Sequence, residues 1–186
     1  GNTVVLDDAA NNYAAIGVTG SNVALVDTNA FDLAATTTSG TLQVTAGGAV
    51  SDSGTIVAGG ATTISNAGNT VVLNDASNDF ASIGVTGSVV TLVDTNAIDL
   101  GTTTATGALT VTAGGAITKS AASAGSSTSS FATTADDDDI TLTHANNELV
   151  GAITLEGVDT NSDNTESVQL TKNTAGGTIL AGSTNT

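Results

Sequence analysis

Four consecutive carboxylates, Asp136–Asp139, are the sharpest chemical feature of this sequence. Clustered carboxylates suit a hard cation such as Ca²⁺, which takes roughly six to eight oxygen ligands. Neighbouring side chains on an extended chain point to opposite sides, however, so the four cannot all face one ion. The spacing also matches neither an EF-hand loop nor the Gly-Gly-x-Gly-x-Asp calcium repeat, and the run is expected to be a solvated acidic turn. His144 is the single histidine, set in THANNEL where related stretches carry Asp8 and Asp75. One His without Cys or a second His makes a poor metal site, so a surface turn residue is expected. Asp7, Asp8, Asp27, Asp32, Asp94 and Asp99 are candidates for the carboxylate pair of a glycosidase. That chemistry needs a defined separation and a substrate groove, yet the chain has no Arg and few aromatics to stack a sugar. These acids read more simply as charges that keep strands soluble and apart. Threonine runs at 36–38 and 102–104 would suit an ice-binding face only if one Thr-x-Thr recurred on every coil, which it does not; β-propensity explains them. No catalytic, cofactor-binding or metal-ligating residue is assigned, no cofactor is implied, and no enzymatic activity is expected.

The totals narrow the partners. Eighteen acids face only Lys119 and Lys172, for a formal charge of −16. Such a surface repels phosphate backbones and anionic headgroups, which argues against nucleic acid and against membrane insertion. Zero cysteine removes disulfides, thiol catalysis and Cys-ligated metal together. No apolar run approaches the ~20 residues of a membrane helix, and no signal peptide opens the chain. Because Gly1 begins inside a pattern, the expectation is a piece of something longer, with any export signal outside it.

That pattern is an internal repeat. Residues 1–50 and 68–117 agree without a gap at 35 of 50 positions, and a third, truncated copy starts near Ile140. The copies are read as 1–67, 68–137 and 138–186, in a single elongated body spanning 1–186 whose length follows copy number. Apolar residues come as doublets with one residue between: Val4/Leu6, Ile16/Val18, Val23/Leu25, Phe31/Leu33 and Leu42/Val44, returning as Val71/Leu73 through Leu109/Val111. Period-two spacing in short runs predicts strands with one buried face, and its regularity argues against disorder. About nine strand candidates per 67 residues suit three coils of three strands. The fold class predicted is therefore all-β, a right-handed parallel β-helix (β-solenoid) with about three coils per repeat; an antiparallel sandwich is the competing architecture. Gly20, Gly40 and Gly47–Gly48 recur as Gly87, Gly107 and Gly114–Gly115, which predicts positive φ at fixed corners. Two stretches depart from the pattern: 119–139, expected to be a loosened coil or bulged loop, and 159–167, expected to be an acidic loop off the rod.

The strings ITLTHANNELVGAITL (140–155), VTLVDTNAIDL (90–100) and LTVTAGGAIT (109–118) resemble repeats of large filamentous-haemagglutinin-like surface adhesins of Gram-negative bacteria, exported by two-partner secretion. The resemblance implies a β-helical shaft, secretion without cysteines and a place outside the cell, on the bacterial surface. It implies no catalytic residues and no ligand pocket. The function expected is a structural spacer that holds binding regions away from the cell, with host-cell or surface glycans and proteins engaged by other parts of the parent chain. The alternative is a filament or sheath subunit that self-associates end to end.

Overall fold

The computed structural model describes residues 1–125, 127–161, 166–173 and 178–185. Every regular element among them is a strand. All strand pairs are parallel, each joining one coil to the next, in a β-solenoid of about eight turns. Many partners lie 19 residues apart, as in Val4↔Val23↔Leu42 and Val71↔Val90↔Leu109. At ~4.8 Å per coil the rod is roughly 40 Å long.

Each coil has three sides. The first holds Val4–Leu6, Val23–Asp27, Leu42–Ala46 and later Ser123–Gly125. The second holds Phe31–Leu33, Val50–Asp52, Val71–Leu73, Val90–Asp94 and Leu109–Ala113. The third holds Thr36–Thr38, Ile117–Lys119 and Ile140–Leu142. Long strands such as Ile56–Ser65 and Asp79–Gly87 carry the third side around into the first, so these two share one 13-stranded sheet while the second side forms a 9-stranded sheet.

The doublets point inward as the alternation requires. Leu25, Leu33, Leu42, Leu73, Leu92, Leu100 and Ile140 belong to one continuous buried core. Each such side chain contributes about 1.5–3 kcal/mol relative to exposure. Stacked in register, they make every coil the floor of the next.

The three-sidedness explains how the repeat is laid down. Val4–Leu6 lies on the first side, its counterpart Val71–Leu73 on the second, and Ile140–Leu142 on the third. One 67-residue copy therefore spans three full coils plus one side, and successive copies are turned by a third of a revolution about the axis.

Two expectations change. Among the described residues positive φ occurs only at Gly68 (86°) and Asp137 (63°), not at the recurring glycines. Those glycines are there for closeness instead: a Cβ on Gly47 would sit 2.2 Å from the Thr28 carbonyl oxygen, and one on Gly114 would sit 2.1 Å from that of Thr95. The stretch 119–139 keeps its place in the rod rather than looping out: Ser123–Gly125 and Ser129–Asp136 continue both sheets, with Ser123, Gly125, Ser129 and Thr133 inward beside Phe131, while the ladder to the next coil shifts register between Ala132 and Asp136. Of the predicted acidic loop, residues 162–165 lie outside the described residues.

Candidate functional site

The acids singled out from the sequence are distributed over different coils and sides, and most are engaged with backbone. Asp27 ends Val23–Asp27 and is 3 % exposed. Its Oδ2 accepts the N–H of Tyr13, on the preceding coil, and its Oδ1 accepts that of Asn29 at 2.7 Å. Sixty-seven residues on, Asp94 is 2 % exposed and repeats the arrangement: Oδ2 accepts Phe80 N–H at 2.7 Å and Oδ1 accepts Asn96 N–H at 2.9 Å. The local motif, Val-Asp-Thr-Asn, turns the chain out of a strand while its carboxylate ties the corner to the coil beneath. Burial raises the Asp94 pKa to about 6, against the two backbone donors that lower it; nearby Asp79 raises it further. The motif stands a third time at 158–161, where Asp159 is also buried.

Asp32 and Asp99, outward on their strands, each take two hydroxyls from the next coil. Ser51 Oγ donates to Asp32 Oδ1 at 3.2 Å and Ser53 Oγ to its Oδ2. Thr118 Oγ1 donates to Asp99 Oδ1 at 3.2 Å and Ser120 Oγ to its Oδ2. Asp27 and Asp94 are thus buried with both oxygens on backbone N–H groups, whereas Asp32 and Asp99 point outward and hold hydroxyls of the next coil.

Asp8, Asp75 and His144 occupy one place in the three copies and do one job. Asp8 Oδ1 accepts Ala10 N–H at 2.8 Å, and Asp75 Oδ1 accepts Ser77 N–H at 2.8 Å. His144 Nδ1 accepts Asn146 N–H at 3.2 Å, an imidazole standing in for the carboxylate of an Asx turn. Three residues further along each turn comes an asparagine. Asn78 Oδ1 accepts Ile56 N–H at 2.8 Å while its Nδ2 donates to Asp52. Asn147 Oδ1 accepts Ser123 N–H at 3.1 Å while its Nδ2 donates to the Leu142 and Thr171 carbonyls. Sequence reasoning passed over these buried asparagines, although Asn11, Asn78 and Asn147 hold the same place in each copy.

Asp52 and Lys119 are also equivalent positions, and they differ in sign. Asp52 accepts Asn74 N–H at 2.9 Å and Asp75 N–H at 3.1 Å. Lys119 instead donates to Ser123 Oγ, and burial lowers its pKa to about 8 despite Asp99 nearby.

The tetrad Asp136–Asp139 splits. Asp137 adopts positive φ, which breaks the extended alternation. Carboxylate oxygens of Asp136, Asp137 and Glu166 then come within 4.8 Å of one another. These are the residues able to hold a hard cation, Glu166 being one the sequence did not point to. Asp136 already accepts Thr160 N–H at 2.8 Å and Thr160 Oγ1 at 2.7 Å, and the Thr160 hydroxyl is the largest cause holding its pKa below the usual carboxylate value. Asp138 goes the other way, raised by burial and then by its neighbours Asp137 and Asp139. Asp139 Oδ1 accepts Ser167 N–H at 2.7 Å.

A family model described as repeats of unknown function (DUF5649) matches the chain twice, over residues 20–87 and 86–156. No curated protein and no solved structure matches it.

Proposed function

The chain belongs to this DUF5649 family of repeats, and from that premise we propose that it is a structural shaft segment of a large extracellular bacterial adhesin or surface fibre, of the kind built from filamentous-haemagglutinin-like, two-partner-secreted repeats. The observation that carries the reading is the way copies join. Val4–Leu6, Val71–Leu73 and Ile140–Leu142 enter successive sides of one uninterrupted core, so adding a copy lengthens the rod without a seam. Each copy adds about 16 Å at the ordinary inter-strand spacing. Polar atoms at the corners are tied to the coil beneath, which suits a body that has to be stiff. Attachment to host glycans or proteins then belongs to other parts of the parent chain, presented at a distance set by copy number.

Antibody labelling of intact cells of the source bacterium tests this. Surface label without permeabilisation is expected, and label that appears only after lysis sinks the reading. A second reading is end-to-end stacking of separate chains into a filament or sheath, in which the parallel coil-on-coil pairing found along the rod continues from one chain to the next. Negative-stain images separate the two. Rods whose length is independent of concentration support the shaft, and rods that lengthen with concentration support the filament.

A further inference from the structure

Thr104, Ala124 and Glu148 stand in register on three successive coils of the first side. The preceding copy has the same row one side away, with Thr37, Val57 and Asp79 in register. The comparison is internal, so it isolates what changed. The hydroxyl and the acid are kept at the two ends, but the middle residue shrinks from Val57 to Ala124 and its inward neighbour from Ala58 to Gly125, while Ala81 becomes Val150 at the rim. At these smaller residues lies a slot of about 220 Å³, bounded by Thr104 and Thr106 on one coil, Glu148 and Val150 on another, and Ala124 and Gly125 between. Val150 is 48 % exposed, an apolar wall facing solvent beside an exposed carboxylate. Behind Gly125 the buried hydroxyl of Ser129 has no hydrogen-bond partner, and it lies 3.0 Å from where a Cβ on Gly125 would be.

We propose that this slot takes the side chain of a lysine presented by a partner protein. The unbranched aliphatic stem lies against Ala124 and Val150, and the ammonium meets the Glu148 carboxylate at the slot's end. An apolar channel closed by one acid fits a cation on a slender stem better than a planar guanidinium, which favours two acceptors side by side. A chain of net charge −16 also draws basic partners over distance. The row Thr37–Val57–Asp79 keeps the acid but carries the larger Val57 and Ala58, which makes it the built-in control. The slot stands independently of the shaft reading, since it is measured on this chain alone.

The test is a methyl NMR titration of the whole chain with Nα-acetyl-lysine amide, compared with Nα-acetyl-norleucine amide, which has the stem and lacks the ammonium. Expected are shifts at Ala105, Ala124 and Val150 with the lysine probe, at most weak shifts with norleucine, and none at Val57. Ala124→Val copies the residue at the control row, so the fold tolerates it, and it should abolish the response. Glu148→Gln, on the surface, should weaken binding about tenfold, the loss of one charge-assisted hydrogen bond. The proposal is overturned by no shift, by equal shifts with both probes, or by a response that survives Ala124→Val, which would mean diffuse attraction to the acidic surface only.

Discussion

The Asp94 carboxylate reaches across a coil boundary to the Phe80 backbone N–H at 2.7 Å, and Asp27 does the same to Tyr13 one copy earlier. Fourteen residues separate donor and acceptor in both cases, so the link closes a loop shorter than one coil and locks its corner. Such a buried clamp is made from an ionisable group, and that has a consequence for pH.

Burial is the main cause that raises the Asp94 pKa in the fold to about 6, from the 3.8 of an exposed aspartate in the unfolded chain. Between these values the native state binds more protons than the unfolded state, so stability falls as pH rises through the window and is lowest above it. The chain should melt at a higher temperature at pH 5 than at pH 7. Relief of general acidic repulsion acts in the same direction, so the comparison that counts is with Asp94→Asn, whose melting temperature should change less over that range. Asp94→Ala, which strands the buried Phe80 N–H and leaves the part-buried Asn96 N–H to water, should cost about 2 kcal/mol at pH 7. Equal pH slopes for the native chain and Asp94→Asn in thermal melts would show that the corner does not titrate as described.

Lys119 is a misfit of another kind. It pairs in register with Leu100; its equivalent one copy earlier is Asp52, while Leu33, Leu73 and Leu142 hold the matching positions on flanking coils. Its pKa is lowered to about 8 from 10.5, so from pH 8 to 10.5 the unfolded state holds the extra proton and stability rises with pH. Replacing it should help at neutral pH: Lys119→Leu is expected to stabilise by about 1–2 kcal/mol and to remove the alkaline gain. Denaturant melts at pH 7 and 10 read both effects, and a destabilised Lys119→Leu would mean that the Ser123 contact outweighs the desolvation.

Much of this architecture is legible in the chain itself, because the signals are local. The doublets Val23/Leu25 or Val90/Leu92 announce strands without any knowledge of their partners, and a 67-residue self-match announces stacking. What is not legible depends on corners. The advance by one side per copy follows from how many residues each bend consumes, which ranges from the 17-residue spacing of Ala15↔Asp32 to the 28-residue spacing of Ile140↔Val168. Glu166 joins Asp136 and Asp137 only because the chain returns after such a bend. The role of the glycines is hidden for a related reason: sequence shows where Gly recurs but not whether it serves its own φ or its neighbour's backbone.

That distinction is open to experiment. Gly114→Ala would place a Cβ 2.1 Å from the Thr95 carbonyl oxygen, and the coils must separate to admit it. A loss of about 2–3 kcal/mol is expected, in the range of overpacked cores. Gly68 has open space around its Cβ position but φ of 86°, so Gly68→Ala strains the backbone alone and should cost about 1 kcal/mol. Gly68→Asn, whose side chain tolerates that region, should recover part of it. If Gly114→Ala proved as mild as Gly68→Asn in chemical denaturation, close approach would not be the reason for the recurring glycines.

His144 offers the sharpest test that the copies share one corner design. Its Nδ1 accepts Asn146 N–H where Asp8 and Asp75 use a carboxylate oxygen for Ala10 and Ser77. The buried Asn147 follows directly, holding Ser123, Leu142 and Thr171 together, so loosening the turn loosens three coils. His144→Ala should therefore cost about 1 kcal/mol, the usual value of one local hydrogen bond, while His144→Asp should restore the turn of the earlier copies and lose little or nothing. Asn147→Ala, which abandons three backbone groups, should cost more than either. Hydrogen exchange at the Ser123 amide reports the effect site by site: protection kept in His144→Asp, reduced in His144→Ala and lost in Asn147→Ala is the order that a shared corner demands, and any other order means the imidazole is serving a different purpose.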